Sequence, residues 1–105
     1  MITAMLDPVY FLECDHGKAG RDFTGDREWT RRNVADFVVS GEKGKVVKVL
    51  EAREDERLLT DITEDIARDI ADRFYADREP VPYELQSFLH AHLGVTSTRN
   101  LVLAA

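Results

Sequence analysis

The sequence predicts an α+β fold in which a small two- or three-stranded sheet is covered mainly on one face by three helices. Two observations lead to this prediction. Short runs rich in β-branched and aromatic residues stand at residues 9–14 and 45–52. Three other segments carry apolar residues at helical spacing. The order β-(β)-α-β-α-α lacks the regular alternation that builds a parallel sheet.

The first strand is predicted at residues 9–14, VYFLEC, directly after Pro8. Gly17 and Gly20 follow it, and glycine accepts the positive φ of a tight turn at low cost. The next four residues, RDFT, favour a short second strand that returns as a hairpin.

A helix is predicted at residues 28–40, with Asp26 or Thr30 as the N-cap and Gly41 as the stop. The segment KVVKVLEA at residues 45–52 then favours a strand. Since its apolar residues fall on both faces, we expect both faces to be at least partly covered.

The clearest element is the segment TDITEDIARDIADRFYAD, in which an apolar residue recurs every fourth position, at Ile62, Ile66, Ile70 and Phe74. Asp61 and Glu64 have the spacing of a capping box, so we expect the helix to begin there. Two ion pairs at i,i+4 spacing are predicted along it, Glu64–Arg68 and Asp69–Arg73.

Proline cannot continue a helix, so the segment REPVP ends this one. Pro82 is well placed in the first turn of a last helix, which Gly94 ends. We predict one domain over residues 1–94. Residues 95–105 are predicted to be a C-terminal tail that is either frayed or a short extra strand.

Composition narrows the possible environments and partners. The formal net charge of −6, from 20 acids and 14 bases, disfavours unspecific binding to nucleic acids and anionic membranes. No segment approaches the roughly 20 apolar residues that span a bilayer. The N-terminus lacks the pattern of a signal peptide. Cys14 is the single cysteine, which excludes an intrachain disulfide, and we expect a cytoplasmic protein.

The cluster Glu13, Cys14, Asp15 and His16 raises the question of a metal or catalytic site. On a strand Cys14 and His16 share one face, but a zinc ion would need two more ligands. His90 and His92 point about 200° apart on a helix, and the sequence leaves open whether either meets Cys14 and His16. We favour a buried Cys14 beside a polar turn. A small enzyme or metal-binding protein that uses Cys14, Asp15 and His16 is the alternative.

A further alternative is nucleic-acid binding through a basic patch. Its members would be the bases of residues 27–48, namely Arg27, Arg31, Arg32, Lys43, Lys45 and Lys48. A solvated face whose charges balance nearby acids explains them more simply.

Four short motifs stand in order along the chain: G-x-x-G-R at residues 17–21, FVVSG at 37–41, V-x-V at 47–49 and D-[VI]-[ST]-E-D-[IV]-A at 61–67. Over residues 9–93 the chain resembles a family of short, uncharacterised proteobacterial proteins that share these motifs. Members often have an asparagine soon after the strand and a Gly-Trp pair before the helix, where this chain has Arg53, Arg57 and Leu58. The resemblance implies the layout of elements and implies no activity or cofactor.

The leading hypothesis is a small acidic protein that binds another protein or itself and has no catalysis and no cofactor of its own. A sheet of two or three strands is marginal alone, so extension or covering by a partner, including a second copy in a homodimer, would complete it. The apolar candidates for such contacts are Trp29, Val46, Leu50 and Tyr83.

Overall fold

The computed structural model describes residues 7–103. Its sheet has four antiparallel strands in the order β2-β1-β3-β4: β1 Val9–Asp15, β2 Arg21–Asp26, β3 Lys45–Arg53 and β4 Leu58–Asp61. The helices are α1 Arg31–Ser40, α2 Thr63–Asp77, α3 Tyr83–Leu93 and the short α4 Val95–Thr98. The α+β class is confirmed. The sheet has four strands where two or three were predicted, and residues 7–103 contain four α-helices where three were predicted.

The predicted hairpin of β1 and β2 is present. The amide of His16 donates to the carbonyl of Gly20 at 2.8 Å, and Gly20 has φ 89°, which only glycine adopts without strain. Strand β2 runs on to Asp26, opposite Tyr10.

The strand that the sequence did not indicate is β4. Arg53 at the end of β3 pairs with Leu58 at the start of β4, and a four-residue loop, residues 54–57, connects them. Arg57 in this loop has a positive φ of 51°. All four residues of β4 are exposed. It therefore lacks the alternation of buried and exposed residues that marks a strand in a sequence.

Helix α1 begins at Arg31, three residues later than predicted, because Thr30 is the N-cap. The hydroxyl of Thr30 accepts from the amide of Asn33 at 3.1 Å, and the side chain of Asn33 accepts from the amide of Thr30 at 2.9 Å. Gly41 ends the helix in the left-handed conformation, as predicted.

Helix α2 does not have the predicted capping box. Its N-cap is Ile62, whose side chain cannot accept a hydrogen bond. Asp61 instead ends β4, and its carboxylate accepts from the amide of Thr63 at 2.9 Å. The helix thus starts directly from a strand, and Asp61 closes the turn between the two.

Helix α2 forms ion pairs within itself and with α1. The predicted pair Glu64–Arg68 is present at 2.8 Å. The predicted pair of Asp69 with Arg73 is wrong, because each side chain reaches α1: Arg31 lies 2.9 Å from Asp69, and Arg73 lies 3.0 Å from Asp36.

The helices cover one face of the sheet. The buried side chains of β1 and β3 that face them are Tyr10, Leu12, Cys14, Val46 and Val49, and they form one core with apolar residues of all three long helices. The Cα atoms span only 20 Å in the thinnest direction, which matches one sheet and one layer of helices about 10 Å apart. The other face of the sheet carries no helix among residues 7–103.

The segment after α3 is attached to the domain. Thr98 in α4 is buried, and the amide of Val81 donates to the carbonyl of Val102 at 2.7 Å. Val81 and Leu103 form a single parallel bridge. Residues 1–6 and 104–105, which belong to the predicted domain and tail, lie outside the described residues.

Candidate functional site

A groove of about 1010 Å³ lies between the first half of β3 and helix α3, and the last turn of α1 closes one side. Ligand sites in proteins commonly have volumes of about 300–1,000 Å³. Its walls are largely apolar, with Val38 and Val39 from α1, Val46 and Val47 from β3, and Phe88 from α3.

One wall of the groove is a strand edge that pairs with no other strand in the described part of the chain. Strand β4 pairs only with residues 50–53 of β3, and then the chain turns into α2. The amide of Ile62 donates to the carbonyl of Val49 at 2.9 Å, and the hydroxyl of Thr63 accepts from the amide of Val49 at 2.9 Å. These bonds end the pairing. Within residues 7–103, no strand lies beside residues 45–48 on the side away from β1.

A β-bulge lies on the same stretch of β3. Glu13 pairs with Lys48 and the next residue, Cys14, pairs with Val46, so Val47 is an extra residue. Bulges bend a strand, re-aim its side chains and often terminate pairing. Here the bulge lies just before the part of β3 that pairs with β4, and Val47 contributes to the lining of the groove.

Helix α3 forms the opposite wall. It packs on α2 through the buried Leu85 and Leu89 rather than closing onto β3. Tyr83, Ser87 and Ala91 recur every fourth residue, so they lie along one line of the helix, and all three are exposed and line the groove. Tyr83 is 74% exposed.

The charges around the groove are unevenly distributed. Lys45 on the strand wall has no carboxylate within 4.0 Å among the residues of the described part of the chain. Arg21 pairs with Glu13 at 3.0 Å, and Glu84 lies in the first turn of α3. His92 packs on Phe88 with ring centroids 4.7 Å apart. The strand wall is therefore basic, and the exposed ammonium of Lys45 is within reach of a ligand.

The four predicted contact residues do not share one surface. Val46 and Tyr83 both line the groove, although Val46 is only 6% exposed and belongs to its floor. Leu50 lies on the uncovered face of the sheet, opposite Phe11. Trp29 packs edge-on against Phe37 at 5.1 Å, away from both. Their role as contacts stays a prediction.

The cluster at the end of β1 splits between the two faces of the sheet. Cys14 is fully buried on the helix side, and the Asp15 carboxylate accepts from the amide of Gly17 at 2.9 Å. Nε2 of His16 lies 3.0 Å from the Asp22 carboxylate. Gly44 packs against both the His16 ring and the Cys14 side chain, so a Cβ at residue 44 would meet the ring at 2.7 Å.

This arrangement leaves the thiol poorly suited to nucleophilic attack. Burial raises the pKa of the Cys14 thiol, and the nearby Asp22 carboxylate raises it further. The neutral thiol is thus favoured at neutral pH, whereas the thiolate is the nucleophile and metal ligand. Residues 7–103 contain no group of three or more His, Cys, Asp or Glu side chains that could hold a metal ion, and this includes His90 and His92.

The basic residues of the proposed nucleic-acid patch are partly engaged within the protein. Arg27 forms an ion pair with Glu54, and Arg31 pairs with Asp69. The ammonium of Lys43 lies 5.1 Å from the ring centroid of Phe37. Arg32, Lys45 and Lys48 are exposed.

Sequence reasoning missed the main feature of the groove, the edge of β3 at residues 45–48, which has no neighbouring strand on that side among the described residues. The available signal was the difference in length between a long strand pattern at residues 45–52 and the short segment LLTD before α2. Such a difference becomes informative only once the two segments are known to pair.

No family model, curated protein or solved structure matches the chain in comparisons with known proteins. The resemblance to the proteobacterial family therefore stays a prediction. None of the helices in residues 7–103 combines the length and the hydropathy needed to cross a membrane.

Proposed function

We propose that the protein is a non-catalytic protein-binding module, and that its groove takes an extended segment of a partner protein as an added strand beside residues 45–48. The observation that carries the proposal is the strand edge of β3, which has no partner among residues 7–103 and faces a groove. Strand addition to such an edge is a common mode of peptide recognition.

The dimensions of the groove fit a short segment. Four residues of extended chain measure about 13 Å, the length of strand left without a neighbour. Main-chain hydrogen bonds to β3 would supply affinity, and side chains that alternate along the guest would reach the groove walls. Because α3 packs on α2, the guest can enter without separating elements of the core.

The groove also indicates the chemistry of the guest. Valine side chains from α1 and β3, with Phe88, would receive apolar residues. The exposed ammonium of Lys45 favours an acidic residue nearby. A lysine at a strand edge also discourages pairing with neutral or basic strands, so the same residue limits unwanted association. We infer an apolar segment with at least one acidic residue.

The test is a selection of peptides from a random phage-displayed library against the wild-type protein, followed by fluorescence polarisation with synthetic peptides. Two exposed helical alanines allow a matched pair of variants. Ala91→Trp fills the groove from α3, whereas Ala76→Trp places the same side chain on α2, away from the groove. Circular dichroism checks that both variants fold.

We expect selected peptides to be rich in apolar residues and acids, and to bind Ala91→Trp at least about tenfold more weakly than Ala76→Trp. Methylation of alternate peptide amides should abolish binding, because those amides would donate to β3. Failure to enrich any peptide, equal binding to both variants, or tolerance of every methylated peptide would each contradict the proposal.

A further inference from the structure

The face of the sheet opposite the helices carries an apolar strip. Phe11, Leu50 and Gly25 stand in one row of paired residues, and Phe23 and Leu59 stand on the outer strands of the same face. Phe11 and Phe23 stack with ring centroids 5.6 Å apart. Phe23 is 53% and Leu59 is 60% exposed, so the strip is accessible at both edges.

Gly25 leaves room for the Phe11 ring beside strand β2. A Cβ at residue 25 would lie 2.2 Å from the ring of Phe11 and 2.9 Å from the carbonyl oxygen of Tyr10. Glycine thus lets the ring lie over the neighbouring strand β2. The Phe11 ring therefore joins the aromatic ring of Phe23 in one apolar strip.

The charges of this face differ from those of the molecule as a whole. Strand register places three acids and three bases on it: Glu13, Asp15, Asp61, Arg21, Lys45 and Lys48. Arg21 and Lys45 stand at the end of this face and also line the groove. The formal sum of these six charges is zero, whereas the chain carries −6. The rest of the chain therefore carries the whole of the net negative charge. This face is neutral and carries charges of both signs, so a second copy of the same face would not be repelled by net charge.

We propose that the uncovered face binds the same face of a second copy of the chain, forming a two-fold symmetric dimer with two sheets packed face to face. A twofold arrangement uses one self-complementary surface, which the balanced charges and central apolar strip provide. Aligned sheets of this kind pack about 10 Å apart.

The size of the face predicts a reversible dimer. Four strands about 4.8 Å apart and roughly seven residues long cover roughly 440 Å² in projection. Two such faces would bury roughly 900 Å² or somewhat more, which is at the low end for specific interfaces. We therefore expect a dimer with a dissociation constant in the micromolar range.

Strand β4 supplies a closely matched pair of variants. Leu58 and Leu59 are adjacent and are 52% and 60% exposed, but they point to opposite faces of the sheet. Leu59→Glu places a charge in the proposed interface, and Leu58→Glu places the same charge outside it. Phe23→Glu is a second interface variant, on the far edge of the sheet.

The experiment is analytical ultracentrifugation of these three variants, of Ala91→Trp and of the wild type at about 5–500 μM, with circular dichroism to confirm folding. We expect a monomer–dimer equilibrium in the wild type. Leu59→Glu and Phe23→Glu should each raise the dissociation constant at least about tenfold, whereas Leu58→Glu should change it by less than about threefold. Ala91→Trp should leave the equilibrium unchanged. A wild type that is monomeric at every concentration, or equal effects of the two leucine variants, would overturn the proposal.

Discussion

Thr63 stands where the pairing of β3 with β4 stops, so it is a direct test of how the strand edge is formed. It is 4% exposed, and its hydroxyl accepts from the amide of Val49 at 2.9 Å while it donates to the Asp61 carboxylate. Val49 itself is fully buried. The hydroxyl thus takes the place that the next residue of a longer β4 would occupy.

Thr63→Val keeps the shape of the side chain and removes the hydroxyl. The buried amide of Val49 then lacks this acceptor, and a buried donor without a partner costs about 1–3 kcal/mol. The lost bond to Asp61 adds about 1 kcal/mol, because that carboxylate keeps its bond from the amide of Thr63. We expect the free energy of unfolding to fall by about 3 kcal/mol and Tm by at least about 10 °C.

The assay is urea unfolding at neutral pH, followed by far-UV circular dichroism and by the fluorescence of the single tryptophan, Trp29. Thr63→Ser is the control, since it keeps the hydroxyl and loses one methyl group, at a cost of about 1 kcal/mol. Thr60→Val, on the exposed strand β4, controls for a valine at a sheet position. Equal stability of Thr63→Val and Thr63→Ser would refute the role assigned to the hydroxyl.

Two further outcomes follow from the side chains around the sheet. Cys14 is fully buried, and burial raises the pKa of its thiol. We therefore expect Ellman's reagent at neutral pH to detect almost no reactive thiol in the native protein and one thiol per chain in urea. Rapid reaction of the native protein would show that the thiol is accessible. Burial also raises the pKa of Asp61, but the hydrogen bonds from Thr63, together with Lys48 and His92, outweigh burial and hold that pKa below its ordinary value. The charged carboxylate therefore stabilises the fold above the ordinary pKa, and that contribution is lost as the pH falls through the lowered one. Asp61→Asn should flatten the acid side of a stability profile measured by urea unfolding between about pH 2 and pH 7, and an unchanged slope would contradict this assignment.

The elements that the sequence predicted well are those with a local cause. Gly17 and Gly20 set the hairpin turn, Thr30 and Gly41 bound α1, and the spacing of Ile66 and its neighbours defines the buried side of α2. Each signal lies within a few residues of the structure that it produces, because helix periodicity and turn geometry are local properties.

The candidate site was predicted only in fragments. Val46 and Tyr83 were proposed as contacts, and both line the groove. The groove itself depends on the distance between α3 and β3 and on the point where β4 stops. No local sequence pattern indicates that distance or the end of β4. The capping box expected at Asp61 failed for a related reason, since pairing with Leu50 places that residue in the sheet.

By itself, the sequence determined the α+β class, six of the main elements, the buried position of Cys14 and the acidic character of the chain. The tertiary structure alone decided that LLTD is a strand, that it ends opposite Leu50, and that one face of the sheet lies outside the helix layer among residues 7–103. The physical reason is that burial patterns record whether a side chain is covered, whereas strand pairing and open surfaces depend on which distant segments meet.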